Sequence, residues 1–450
     1  MTRSLWQDTD IQCVECETVS SDITADVAIV GAGFTGLWTA YWLTELNPSL
    51  NIVIIEREFI GFGASGRNGG WFSALFPASL DKVARVSSRS AAVSLYRALM
   101  DNVATTTQLV SSLGLDCDWR HDGTYTFIRS HAQMKRAEAE IEYFRSWGFD
   151  EHDITFLPPS EITTPVTQLK GALFTPHCAR VNPYKLVTGL AKVVQSRGVK
   201  IYENSHATEI NPKKIRVNNH TIKAPFVIRA TEAYTSQLKG EKRTVAPIYS
   251  FMIATDVLPH DTINTLSLRG STFADLRNLV IYGQVTQDNR IAFGGRGAPY
   301  HFGSKISADF ENNPNVSAKI FSILQDMVPA IGNPAITHQW AGVLGVHRDW
   351  FPKVGFDAET GFGYAGGYIG DGVGSSALAG ETLAHLVTKI PTELTDLPWL
   401  YQSIKRWEIE PLRYLGISLG LRAMTIADKE ESMTHRPSLL GKLMSPLIGH

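Results

Sequence analysis

The residues best placed by type and spacing to do chemistry are glycines. Gly31, Gly33 and Gly36 form G-x-G-x-x-G directly after the apolar run Val27, Ala28, Ile29, Val30. Gly31 permits a tight turn, Gly33 lets a pyrophosphate approach the backbone, and Gly36 lets the following helix pack close to the strand. Phe34 and Thr35 sit in the first turn of that helix, whose N–H groups and positive dipole end favour phosphate. The helix continues through Leu37, Ala40, Tyr41 and Leu43, and Asn47-Pro48 stops it. A second apolar run, Ile52 to Ile55, ends in Glu56, followed by Arg57. Glu56 stands about twenty residues beyond Gly36, where a carboxylate can hold ribose hydroxyls. A strand, a helix, a second strand and an acid in this order predict a dinucleotide site. A second small-residue stretch, Gly61 to Trp71, contains Ser65, Arg67, Asn68, Gly69 and Gly70. Its backbone N–H groups can reach phosphates, and Arg67 can neutralise an anion.

These residues need elements to position them. After the loop come two stretches with helical spacing, Ser90–Leu113 and Ala132–Trp147, separated by the alternating run Gly123–Ile128. Asn182–Gln195 reads as a helix, and Lys200–Ile210 and Thr221–Ala230 as strands. Val245–Thr255, Leu279–Val285 and Arg290–Gly295 read as antiparallel strands, and a helix pair is expected in Val316–Val328. Trp340–Gly355, Gly363–Tyr368 and the helix Ser375–Thr388 return to α/β character. The expected fold is α/β: a Rossmann-type domain of residues 1–84, 176–245 and 335–390, interleaved with a mixed or antiparallel-sheet substrate domain of 85–175 and 246–334. Residues 391–450 are expected to form a docked helical tail.

The bulk properties bound the function. A chain of 450 residues with 44% hydrophobic and 19% charged residues is long enough for more than one lobe. A net charge of −2 without a basic block argues against a nucleic-acid partner. The N-terminus has no apolar signal core and no membrane span is expected, which points to the cytoplasm. Cys13 and Cys16 make C-x-x-C, but no second pair or nearby histidines complete a zinc site, so no metal is expected.

The order of motifs (G-x-G-x-x-G, an acid, SGRNGG at Ser65–Gly70, then a late glycine-rich strand–helix) resembles the D-amino-acid-oxidase-like superfamily of FAD enzymes. The run IGFGASGRNGG is most similar to the γ-glutamylputrescine oxidoreductase-like branch. The resemblance implies that Gly31, Gly33, Gly36 and Glu56 bind the ADP half of FAD, and that Ser65, Arg67, Asn68, Gly69 and Gly70 run beside the pyrophosphate and flavin. It places Thr231 near the adenosine–pyrophosphate, and Gly366, Gly367, Gly370, Gly372 and Val373 along the isoalloxazine. A helix N-terminus there would stabilise the charge that reduction brings.

Three departures narrow this expectation. Leu344, after Trp340-Ala341-Gly342-Val343, stands where glycine-oxidase-like members carry an arginine for a substrate carboxylate. Ala292 stands where sarcosine-oxidase-like members carry a lysine over the flavin, which leaves the acceptor open between oxygen and another oxidant. No histidine or cysteine in the Gly61–Trp71 loop or at Trp340–Gly345 matches the covalent attachment point of some relatives, so non-covalent FAD is expected. The implied chemistry is hydride transfer from a C–H next to nitrogen to flavin N5, giving an imine that hydrolyses to an aldehyde. The expected substrate is a γ-glutamylputrescine-like or other small amine; an amino acid or aminophosphonate is the alternative. Expected pocket residues are Tyr249, Met252, Tyr282, Gln284, Arg296 and Tyr300. His347 is the candidate for tuning amine protonation, with Arg296 or Arg348 as a site for a remote anion.

Overall fold

The computed structural model describes residues 3–8, 15–295, 299–400, 402–434 and 436–444. Arg296 and Cys13 lie outside the described residues.

Val27–Val30 is wholly buried because it runs near the centre of a six-stranded sheet. The sheet order is Lys353–Asp357, Phe362–Gly366, Phe226–Arg229, Val27–Val30, Ile52–Ile55, Lys200–Tyr202. Every pairing is parallel except that of the first two strands. Strands covered on both faces carry unbroken apolar runs, which is why Val27–Val30 and Ile52–Ile55 show no alternation. The helix Phe34–Leu46 packs on this sheet and against a second helix, Gly372–Thr388. Their close approach falls at Gly380, where a Cβ would lie 2.6 Å from Cβ of Trp38. A third helix, Pro183–Ser196, begins at Asn182, whose side-chain oxygen accepts from the N–H groups of Tyr184 and Lys185.

The second large sheet has eight strands, in the order Ile336–Val346, Ala246–Thr255, Ile291–Gly295, Ile281–Val285, Thr272–Asp275, Thr124–Ile128, Gly171–Thr175, Thr155–Leu157. It is mixed: Thr272–Asp275 and Thr124–Ile128 run parallel, and the other pairs are antiparallel. Ile336–Val346 pairs along its length with Ala246–Thr255. Residues 336–346 therefore belong to this sheet and not with the 335–390 segment in which the sequence grouped them. The expected helix pair at Val316–Val328 is one helix, Pro314–Met327, capped by Asn313, followed by the short turn Pro329–Ile331.

Two C-terminal helices, Leu412–Thr434 and Leu439–Met444, lie on the body. Arg136 forks onto Glu431 at 2.7 and 2.8 Å, and Asp428 accepts from Asn278 and Leu279. No described helix is long and apolar enough to cross a membrane.

Candidate active site

The nucleotide fingerprint forms one wall of a cleft. Gly31 has φ +112, and a Cβ there would overlap the Ala230 carbonyl. Gly36 faces inward, against the Gly31 carbonyl, and sets the helix close to the strand. Gly33, Phe34 and Thr35 line the cleft, so the first turn of the helix opens into it. Glu56 lines it from the neighbouring strand end, accepting from the N–H of Ala32 at 2.9 Å and of Glu58 at 3.0 Å. Burial holds its carboxyl above the ordinary range. Arg57 lies over the Tyr234 ring, and both residues and Thr231 are on the lining.

The late glycine segment reaches the same cleft. Gly370, Gly372 and Val373 line it, at the opening of the helix Gly372–Thr388. The hydroxyls of Tyr368 and Thr35 are 3.0 Å apart, so a hydrogen bond ties the two helix N-termini together. Gly366 and Gly367 line neither this cleft nor the large cavity described below. Gly367 instead packs on the His347 ring and donates its N–H to Glu232.

Glu232 is a cleft residue that the sequence reading did not select. Its carboxylate accepts from the N–H groups of Gly367 and Tyr368 at 3.2 and 3.3 Å, and burial pushes its carboxyl up to about 7. The signal available was its place directly after Thr231 at the end of a parallel strand, where α/β sheets put their ligands.

The loop from Gly61 to Trp71 is held by its own side chains. The Ser65 hydroxyl accepts from the N–H of Phe34 at 2.9 Å, fastening the loop to the helix start. Asn68 donates to the carbonyls of Ala64 and Ser65 and accepts from the N–H of Gly70. Gln284 fixes the far end by donating to the carbonyls of Gly69, Gly70 and Val181. Arg67 does not face the cleft. Its guanidinium is buried against Glu311 at 3.1 Å and donates to the Ala341 and Phe62 carbonyls. Arg67 thus meets a protein carboxylate where a cofactor phosphate was expected.

Beyond the cleft lies a cavity of about 610 Å³. Cleft and cavity share five lining residues: Ala64, Asn68, Leu344, Gly370 and Val373. Tyr282 and Gly69 line the cavity, with the Tyr282 hydroxyl 2.7 Å from that of Ser250. Several expected pocket residues lie elsewhere. Tyr249 is buried, its hydroxyl bound to the N–H and carbonyl of Ser307. Tyr300 donates to Glu410, Arg348 donates its Nε–H to the carboxylate of Glu408, and Met252 and Ala292 are buried in the sheet.

His347 is also off the lining. It is buried with Nδ1 3.1 Å from the Thr244 carbonyl, and burial, with Lys353 nearby, pushes its pKa down to about 4. It is neutral at pH 7 and supports Gly367, a different place from the proton-tuning one expected. The Cys117 and Cys178 thiols are pushed up by burial to about 12, and Cys16 to about 11, which removes them as nucleophiles near neutrality. Among the described residues no group of three His, Cys, Asp or Glu could hold a metal ion.

A mainly parallel sheet with two helix N-termini on one cleft, joined to a cavity under a large mixed sheet, is the arrangement of a dinucleotide-binding fold with a second chamber. The chain matches the DAO family, FAD dependent oxidoreductase, over residues 26–386, and it belongs to that family. It is 28% identical to the gamma-glutamylputrescine oxidoreductase of Escherichia coli K12 over 379 residues, 82% of this chain and 85% of that protein. It is 26% identical to a probable oxidoreductase, OrdL, of Haemophilus influenzae over 372 residues, 81% and 83% of the two chains. Among solved structures, the glycine oxidase of Geobacillus kaustophilus superposes with a TM-score of 0.69 at 20% identity, covering 85% of this chain and all of that one.

The site fits the family's cofactor on its own geometry. Gly33 leaves room that a Cβ would fill, 2.8 Å from the Ser65 hydroxyl. The two helix N-termini on the lining would offer donors to the anionic parts of FAD, and Glu56 would offer an acceptor to a ribose.

Proposed function

We propose that the chain is an FAD-dependent amine oxidoreductase that oxidises a carbon next to nitrogen, the imine product hydrolysing to an aldehyde. One observation carries this: the cofactor cleft and the large cavity share the wall Ala64, Asn68, Leu344, Gly370 and Val373. A reacting carbon held in the cavity meets the cleft there and nowhere else along their described linings. FAD, when bound, supplies the two-electron acceptor. Gly31, Gly33, Phe34, Thr35, Glu56 and Arg57 hold its ADP half, with Ser65, Asn68 and Thr231 alongside. Gly370, Gly372 and Val373 hold the flavin end, non-covalently. Tyr282 and Leu344 form the wall that orients the substrate and excludes water.

The amine must be neutral to react, so the rate rises with pH as the bound amine loses its proton. An amino acid or aminophosphonate substrate fits less well. Its anion needs a cation in the cavity, and the guanidinium groups on its lining, Arg67, Arg136 and Arg277, are already paired with Glu311, Glu431 and Asp275. The relatives named for γ-glutamylputrescine and glycine support nitrogen-bearing substrates as a class. The net charge of −2 without a basic block speaks against nucleic acid as a partner. Turnover on a panel of mono- and diamines, amino acids and aminophosphonates tests the proposal: amines lead, and a panel led by amino acids overturns it.

A further inference from the structure

The wall of the large cavity contributed by the helix His131–Ser146 carries a carboxylate that the proposed chemistry does not use. Glu140 lines the cavity and, among the described residues, makes no hydrogen bond or ion pair. Its charged neighbours on the lining are engaged elsewhere. Arg136, one turn earlier on the same helix, donates to Glu431 and the Leu276 carbonyl. Arg277 forks onto Asp275 at 2.6 Å, and Asp153 binds Arg97 at 2.6 Å and His177 at 3.2 Å. Around Glu140 the lining is aromatic: Phe76, Tyr96, Tyr143 and Phe144. Tyr96 packs against Phe76 at 6.2 Å and Phe144 at 6.3 Å between ring centroids. It also feels the charges of both Glu140 and Asp371, the residue that opens the flavin-side helix.

A carboxylate without a partner inside aromatic walls is complementary to one kind of group, an ammonium ion. Carboxylate charge and ring faces attract it together. Burial alone pushes Glu140 up to about 7, the penalty that a bound cation removes. We infer that Glu140 is a specificity-determining residue that binds a second, protonated nitrogen of the substrate, so that the enzyme prefers diamines and their derivatives over monoamines of equal length. The inference rests on the amine reading above for the identity of the reacting end.

The test uses holoenzyme under anaerobic conditions with 1,4-diaminobutane and butylamine as probes, reading the dissociation constant by calorimetry and flavin reduction separately. The expected result is that wild type binds the diamine ~10-fold or more tightly than the monoamine, one charge pair of about 1.4 kcal/mol. Glu140→Gln should abolish that preference and leave butylamine binding unchanged. Equal binding of the two amines by wild type, absence of binding by either, or a preference that survives in Glu140→Gln overturns the inference. If the preference appears but neither amine reduces the flavin, the amine-oxidation reading fails and the cation site stands. If both amines reduce the flavin without preference, the reverse holds.

Discussion

At the scale of single residues, the side chains that face the cofactor or the cavity are only partly those whose chemistry is conspicuous in the sequence. His347 and Tyr249 have reactive side chains, yet each spends its polar atoms on a backbone partner away from both linings. Glu232 had only its place after Thr231 as a signal, and Glu140 had none, because the contacts of each depend on which distant segment faces it. Gly367 and Tyr368 meet the first, and a ring of aromatics meets the second. Arg67 was legible as important but not in its role, since Glu311 is far along the chain.

Two predictions belong at this scale. Glu140 has its folded pKa raised to about 7, so the folded protein takes its proton more readily than the unfolded chain does. The stability cost is therefore absent below the unfolded carboxyl range, grows as pH rises towards 7, and is complete above it. Glu140→Gln should be more stable than wild type at pH 8 by on the order of 2 kcal/mol and nearly equal at pH 4, read by urea unfolding at both values. Leu344 stands on the wall shared by cleft and cavity. Leu344→Arg should cut amine turnover by roughly tenfold and raise turnover of simple α-amino acids, because it adds the fork a carboxylate needs. Unchanged kinetics on both substrate classes would contradict its placement.

At the scale of elements, local chemistry made most helices legible. Ser90–Leu113 and Ala132–Trp147 were read within a residue or two of the observed Arg89–Ser112 and His131–Ser146, because each has one apolar stripe. The helix Phe34–Leu46 is buried almost throughout, and its glycine fingerprint identified it where a stripe would not. The miss at Ile336–Val346 is physical. Alternation says that a segment is a strand, but its partner is set by pairing with Ala246–Thr255 across many intervening residues.

The two helices that aim their N-termini at the cleft are held at one distance by Gly380. Gly380→Val should push them apart, costing roughly 1–3 kcal/mol of stability. It should also weaken FAD retention although the residue touches no part of the cleft. Thermal unfolding and the flavin-to-protein ratio after gel filtration check both effects, and normal retention in a destabilised variant would show the helix spacing to be irrelevant to the site.

At the scale of the whole molecule, one sheet supplies the glycine-lined cleft and the other lines the large cavity, with the C-terminal helices also on the cavity wall. Met424 and Gly441 reach that cavity, so the tail is part of its wall. The sequence reading expected a docked helical tail over 391–450, and the described part carries the helices Leu412–Thr434 and Leu439–Met444. The tail's use as a wall was not legible, since that depends on Arg136 meeting Glu431 and on Asn278 meeting Asp428. We propose the division into a cofactor domain and a substrate domain along these two sheets, with residues 336–346 moved to the second. The measurement that bears most directly on the whole account is the visible spectrum of the purified protein, sealed from oxygen, before and after addition of an amine. The account predicts a yellow protein that releases its FAD on denaturation and loses its colour with at least one small amine or diamine. A colourless chain that takes up no added FAD, or a bound flavin that stays oxidised with every amine, would contradict it.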